Sequence, residues 1–189
     1  MIEWIHPTVF FFIAAFLLPF LKEPARRFVQ WVAPLLAFLS LMTVSEGTFG
    51  TVSIMGLPVV FGRVDRLSLL FGYVFTISTF IGMIYSLHVK QTGEIMAMFV
   101  YAGAALGAVF SGDLLTLFLF WEIMAFSSVF LVFYAGSQAK ASGMRYLMIH
   151  ILGGICLFVG IALYVATESH AITFSAIPMT GLGPALILT

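Results

Sequence analysis

The sequence predicts an all-α, polytopic transmembrane helix bundle of about six spans, and three observations support this fold class. Of the 189 residues, 62% are hydrophobic and only 8% are charged, whereas soluble domains carry about 25% charged residues. The mean hydropathy is +1.14. Apolar stretches of about 20 residues recur along the chain, and this is the length that a helix needs to cross a bilayer. We therefore expect an integral membrane protein.

Composition also excludes several classes of function. The net charge is zero and no basic run is present, so nucleic acid is not an expected partner. Cys156 is the only cysteine, which excludes a disulfide framework or a thiolate metal site within the chain. The sequence has no dinucleotide fingerprint, Walker loop or Cys/His metal spacing, so no metal and no cofactor is expected. Glu3 replaces the positive region of a cleaved signal, and the first apolar stretch is expected to be retained.

The spans follow one another with short connections, and residues 1–189 are expected to form a single transmembrane domain. Short connections favour antiparallel neighbours in a bundle. Pro7 lies in the first turn of the first span, where proline is tolerated. Residues 22–27 are expected to form a charged turn, and Pro34 interrupts the second span. The predicted spans are approximately 5–21, 28–44, 67–87, 94–110, 113–134 and 144–166, with the start of a seventh at 184–189.

Residues 45–66 differ from the spans because glycine and proline break them into short pieces. Two runs rich in β-branched residues, 51–54 and 59–61, lie between these breaks. Such a pattern indicates a hairpin, and it is too short to cross the membrane. We expect it to fold over the extracytoplasmic surface.

Loop charges predict the orientation of the bundle. The connections that follow the first, third and fifth spans share one side and carry six basic residues, while the other side carries only Arg63 and Arg66. The positive-inside rule assigns the more basic side to the cytoplasm. The N-terminus is then outside. The six basic residues are Lys22, Arg26, Arg27, Lys90, Lys140 and Arg145.

The fourth span carries small residues at helical spacing, from Gly103 to Gly107. Small residues let two helices approach closely in a membrane. The pattern is therefore interpreted as a packing face rather than as a ligand site.

Glu122 is the most unusual residue of the fifth span. It follows Asp113 by nine residues, which places it about 13 Å into a hydrocarbon core of about 30 Å. Carboxyl groups at such depth are rare, and they usually line an ion path or pair with another polar group. The alternative is that Glu122 stays protonated and serves only as a hydrogen-bonded packing residue.

Two further groups could act with Glu122 on the sixth span, which is its sequence neighbour. His150 lies about 10 Å from the Gly143 end of that span, and Arg145 lies two residues from this end. A buried acid and a histidine that exchange protons near neutral pH suit a proton relay, with water bridging the gap. His150 could instead be a packing residue, and Arg145 could simply anchor the helix end at the headgroups. His6, His88 and His170 are interpreted as solvated.

The fifth span also carries a family resemblance. Its sequence over residues 111–124, SGDLLTLFLFWEIM, resembles the signature of the antiporter-like membrane proteins. These are NADH dehydrogenase subunits 2, 4 and 5 of respiratory complex I and the MrpA and MrpD proteins of the Mrp cation/proton antiporters, and membrane-bound hydrogenases use the same module. The start of the third span, at 65–68, and residues 146–147 resemble the same family.

The resemblance implies a role for Glu122, because the glutamate of this helix takes part in proton transfer in the family. The family pairs it with a lysine on the seventh helix, whereas the lysines here, Lys22, Lys90 and Lys140, are expected in loops. Arg145 stands where the family commonly has a lysine. A full-length family member has about fourteen helices with an inverted repeat, and this chain resembles only the first six.

Two functions remain open at this point. The chain is expected to be a proton/cation-translocating subunit, or the N-terminal part of one, with H⁺ and either Na⁺ or K⁺ as the ions moved. The alternative is a non-conducting structural subunit of the same kind of complex; a stand-alone channel would lack the complete path of the family. Expected partners are other membrane subunits and the lipid bilayer of a prokaryotic cytoplasmic membrane. No redox site is expected in this chain, although the parent complex could be an oxidoreductase or a hydrogenase.

Overall fold

The computed structural model describes residues 4–54, 56–167, 174 and 182–188. Helices dominate it, and one two-stranded sheet interrupts them. In chain order the elements are α1 (Pro7–Leu17), α2 (Glu23–Thr43), β1 (Gly47–Ile54), β2 (Leu57–Val64), α3 (Arg66–Tyr85), α4 (Thr92–Val109), α5 (Leu114–Tyr134), α6 (Lys140–Thr167) and α7 (Leu182–Leu188).

Helix α2 begins earlier than the sequence predicted, because the expected charged turn is already helical. Pro24 lies in its first turn, where its missing N–H costs no hydrogen bond. The Glu23 carboxylate pairs with Arg26 at 3.6 Å and with Arg27 at 3.5 Å, and such i,i+3 and i,i+4 pairs support a helix. The helix then continues through Pro34 to Thr43.

The hairpin predicted at residues 45–66 is confirmed. Strands β1 and β2 pair antiparallel, from Gly47 opposite Val64 to Ile54 opposite Leu57. Gly56 in the connection has φ +84°, a left-handed conformation that glycine adopts without steric cost. Strand β2 is the more buried of the two, with Val59, Val60 and Val64 all buried.

The hairpin is bonded to the connection between α4 and α5. The N–H of Arg63 donates to the carbonyl of Phe110 at 2.7 Å, and the N–H of Gly112 donates to the carbonyl of Val60 at 3.0 Å. Asp113, the N-cap of α5, accepts the Val60 N–H on Oδ2 at 2.6 Å. A fully buried carboxylate therefore holds this sheet against the start of α5.

Helix α4 lies at the centre of the first part of the bundle, where it packs against α1, α3 and α5. A Cβ at Gly103 would lie 3.1 Å from Phe11 of α1, and one at Gly107 would overlap the ring of Phe120 of α5. These glycines therefore bring helices together, which agrees with the packing interpretation of this face. The core beside them is formed largely by buried side chains of α1, α2 and α4.

Helix α6 packs chiefly against α5 and α7. It begins at Lys140, four residues before the predicted span, so Lys140 lies in a helix rather than in a loop. At its far end Gly160 approaches α7 so closely that a Cβ there would lie 2.9 Å from the Ile187 nitrogen. A helix thus starts close to the predicted seventh span, while His170 lies outside the described residues.

The membrane fold class is confirmed. Four helical stretches of the described chain are long and apolar enough to cross a bilayer, namely Arg66–His88, Thr92–Val109, Leu114–Tyr134 and Ser137–Ala166. The first apolar helix is shorter, over Pro7–Phe20, and α2 has the length of a span but begins with charged residues. Large apolar side chains such as Phe16 and Ile149 point outward, as lipid contact requires.

The interpretation of His6 as a solvated residue is wrong. Its ring packs among Trp4, Phe110 and Phe120, with ring centroids 5.0, 5.7 and 6.4 Å away. His6 caps α1, and its Nδ1 accepts the Thr8 N–H at 3.3 Å. The hairpin supplies part of this packing, since Phe49 also lies against Trp4 at 5.3 Å. His88 is exposed, as expected.

Candidate functional site

Helix α5 carries the site because its sequence is apolar except for a few groups. Asp113 ends the preceding connection and accepts the Thr116 N–H at 2.8 Å, which fixes the first turn. From there Leu114–Tyr134 runs without a break. Glu122 stands near the middle of this helix, and it is the only ionisable side chain on it apart from Tyr134 at its end.

The Glu122 carboxyl group lies against the backbone of α6. A Cβ built on Gly154 would overlap Oε1 of Glu122 and would come within 3.0 Å of its Cδ and 3.4 Å of its Oε2. Oε1 is buried and has no hydrogen-bond partner within the described residues. A buried oxygen that lacks a partner costs free energy, so this atom is a natural place for a proton or a water molecule.

A hydrogen-bonded chain of three side chains lies on the same α5–α6 seam. His150 Nε2 is 2.8 Å from the Tyr146 hydroxyl, and this hydroxyl is 3.0 Å from the Ser128 hydroxyl of α5. His150 also lies against the Trp121 ring, with centroids 6.3 Å apart. Its imidazole is close enough to interact electrostatically with the Glu122 carboxylate.

The seam thus contains two of the three predicted residues. Glu122 is level with Gly154, and His150 lies four residues earlier on α6, a separation of about 6 Å along the helix axis. One or two water molecules would fit that distance. Arg145 is exposed and, within the described residues, forms no ion pair. The structure therefore does not bring Arg145 together with the other two.

Two residues of the seam were missed as site residues in the sequence. Tyr146 links His150 to Ser128, and Gly154 faces Glu122. Together with His150 they stand at positions i, i+4 and i+8 of α6, which is one face of a helix. This spacing was the available signal, and it marks the face that α6 presents to α5.

Comparisons with known proteins match this part of the chain. Residues 111–185, which contain all of these positions, match a family model described as the transmembrane region of NADH:quinone oxidoreductase and Mrp antiporter proteins. The largest-numbered match in coverage is not needed to see the relation: the MrpA-type Na(+)/H(+) antiporter protein of Alkalihalophilus pseudofirmus is 32% identical over 188 residues. That alignment covers 87% of this chain but 23% of the relative, so the chain spans about a quarter of the length of this protein.

Solved structures share the fold. A chain of the Mrp complex from a Dietzia species has a TM-score of 0.72 at 24% identity, and the match covers 88% of this chain and 20% of that one. A chain of respiratory complex I from Thermus thermophilus has a TM-score of 0.74 at 17% identity, covering 96% of this chain and 41% of that one. The family match, the relatives and the shared fold agree with the motif at 111–124, and the chain is therefore homologous to the antiporter-like membrane proteins.

Proposed function

We propose that this chain works as part of a proton/cation-translocating subunit in a multisubunit membrane complex, with Glu122 as the group that carries the proton. The observation that carries the proposal is the Glu122 carboxyl group, which lies near the middle of an apolar helix with one oxygen buried and unpartnered. Structural acids in apolar surroundings are normally hydrogen-bonded. An acid that lacks a partner is suited to accept and release a proton.

The hydrogen-bonded side chains support a path on one side of Glu122. In the proposed orientation, with the N-terminus outside, Ser128, Tyr146 and His150 lie between Glu122 and the cytoplasm. His150 can exchange a proton with water, and the Tyr146 hydroxyl can both donate and accept. A proton would pass from His150 through bridging water to Glu122. Arg145 would stand at the cytoplasmic start of α6, as a fixed charge near the mouth of this path or as an anchor in the headgroups.

The surroundings of the chain belong to the same proposal. The relatives are named as parts of Na(+)/H(+) antiporters, so H⁺ and Na⁺ are the first ions to test. The structural matches come from multisubunit membrane complexes, which supports other membrane subunits as partners. The bacterial relatives support a prokaryotic cytoplasmic membrane.

The competing function is a non-conducting subunit that only binds its neighbours. One observation favours it: in the described residues the lysines lie at or beyond helix ends, since Lys22 precedes α2, Lys90 lies between α3 and α4, and Lys140 opens α6. No membrane-embedded lysine of this part of the chain can therefore pair with Glu122.

Glu122→Gln separates the two functions. Glutamine keeps the size of the side chain but cannot release a proton. We expect the parent complex to assemble normally and its proton or cation flux to fall at least about tenfold, because general acid–base groups typically contribute factors of this size or more. Glu122→Asp should keep part of the flux, and Glu122→Ala should reduce both flux and assembly. The measurement is ion flux by the reconstituted complex, beside its assembly level. Wild-type flux with glutamine at normal assembly would reject the proton-carrying role.

A further inference from the structure

Gly154 and Gly153 are adjacent glycines in the middle of α6, yet their surroundings differ. Gly154 is buried, and the three heavy atoms closest to a Cβ placed there all belong to the Glu122 carboxyl group. Gly153 is exposed, and a Cβ there would meet no atom within 4 Å. Only one of the pair is therefore in contact with the acid.

We propose that Gly154 is the positioning residue for Glu122: its missing side chain forms a slot in α6 that holds the carboxyl group level with the proton path. The inference rests on the proposed function, because a held carboxyl group matters only where Glu122 carries a proton. It adds that the size of one residue on the facing helix controls whether Glu122 can work.

Backbone conformation gives no reason for glycine at this position. The glycines of the described chain with positive φ are Gly50, Gly56 and Gly136, so Gly154 has an ordinary helical conformation. Glycine in a helix interior is less favourable than alanine by about 1 kcal/mol. On helix stability alone, alanine would improve both Gly153 and Gly154. Close approach of the Glu122 carboxyl group is what disfavours it at Gly154.

A methyl group at position 154 would have to displace the carboxyl group. The overlap involves Oε1 itself, at a separation that real Cβ atoms essentially never show, while Cδ would be at 3.0 Å. The seam is closely packed on either side of this contact, because Gly143 lies against Phe133 and Phe118 lies 5.3 Å from Phe158. The displaced carboxyl group would leave the seam and increase its separation from His150.

The experiment compares Gly154→Ala with Gly153→Ala in the reconstituted parent complex. Both changes add the same methyl group to the same turn of the helix. We expect Gly153→Ala to keep wild-type flux and Gly154→Ala to lose flux by about 10- to 100-fold, as displacements of about 1 Å at reacting groups do. The double variant Gly154→Ala with Glu122→Asp shortens the acid by one methylene and should recover flux to the level of Glu122→Asp alone.

The rescue distinguishes positioning from a general packing defect. Normal flux in Gly154→Ala would overturn the inference, as would equal losses in the two glycine variants. Failure of the shorter acid to restore flux would overturn it as well. The proposed function fails separately, if Glu122→Gln retains flux. Loss of flux with Glu122→Gln but not with Gly154→Ala would leave the proton-carrying role intact and reject only the positioning role.

Discussion

Two buried carboxyl groups at α5 have opposite surroundings. Asp113 is fully buried and accepts three hydrogen bonds, from the Val60 N–H, the Thr116 N–H and the Thr116 hydroxyl. Glu122 stands nine residues further along, and within the described residues its buried oxygen Oε1 has no partner. The first acid is bonded to a sheet and a helix end, whereas the second lies against a bare stretch of helix backbone.

The difference teaches how to separate structural from functional acids in an apolar bundle. Burial alone does not discriminate, because both groups have oxygens removed from water. A saturated carboxylate stabilises the fold, since each donor that it accepts would otherwise be unpaired. An unsaturated one costs stability and is retained for another reason. The following predictions test this contrast, from the largest expected effect to the smallest.

Isosteric neutralisation of both acids should give opposite results. In Asp113→Asn the new amide group must face either the Val60 N–H and the Thr116 hydroxyl or the Thr116 N–H, so a donor meets a donor in each orientation of the side chain. We expect a loss of about 2–4 kcal/mol of stability, read as a lower midpoint of thermal unfolding and lower assembly. Glu122→Gln should leave both unchanged while flux falls. Equal stability losses in the two variants would remove the distinction drawn between the acids.

The Tyr146 hydroxyl should matter for flux and little for stability. Tyr146→Phe removes the hydrogen bonds to His150 and Ser128 but keeps the ring. Since one hydrogen bond contributes about 1 kcal/mol, we expect flux to fall about fivefold. Tyr73→Phe is the control, because it removes a hydroxyl bonded to the Leu41 carbonyl at 3.1 Å, away from the α5–α6 seam. If both variants lower flux to the same extent, the Tyr146 hydroxyl has no special part in the path.

Asp65 is the exposed counterpart of Asp113, because it also caps a helix. The Ser68 backbone N–H donates to it at 2.8 Å, and this hydrogen bond holds the pKa of the Asp65 carboxyl group below its ordinary value of 3.8. Because the folded-state pKa is lowered, the stabilisation is present above pH 3.8 and disappears as the pH falls through the folded-state pKa. Its side chain is 49% exposed, so Asp65→Asn should cost only about 0.5–1 kcal/mol at neutral pH.

Thermal unfolding of both proteins from about pH 3 to about pH 7 measures this effect. The difference between wild type and Asp65→Asn should shrink as the solution becomes acidic, since the wild-type carboxylate becomes protonated while the amide does not titrate. A difference that stays constant or grows toward low pH would contradict the cap assignment.

Most of the fold could be predicted because membrane helices declare themselves by length and apolarity. The hairpin was also predictable, since glycine and proline break its sequence. The early start of α2 was missed because charged residues resemble a loop until their i,i+4 pairing is considered. The burial of His6 depends on Phe49 of the hairpin and on Phe110 and Phe120. Such contacts between distant segments leave no local pattern.

The candidate site was predictable only in part. Depth alone singled out Glu122, and the short loop between α5 and α6 made His150 a neighbour. The rotation of α6 about its own axis could not be read from hydrophobic periodicity, because its lipid-facing and buried sides are both apolar. For this reason Tyr146 and Gly154 emerge only when the two helices are seen packed together.

The bonds between β2 and the start of α5 also have a mechanical consequence. With Gly112 and Asp113 held by Val60 at 3.0 and 2.6 Å, α5 is pinned at one end, so it can swing but cannot slide along its axis. Glu122 lies about 13 Å from this pivot, and a swing of about 5° would carry its backbone through about 1 Å. The hairpin thus acts as a fixed bearing, and α5 as a lever whose small rotations are enough to move its acid toward or away from α6.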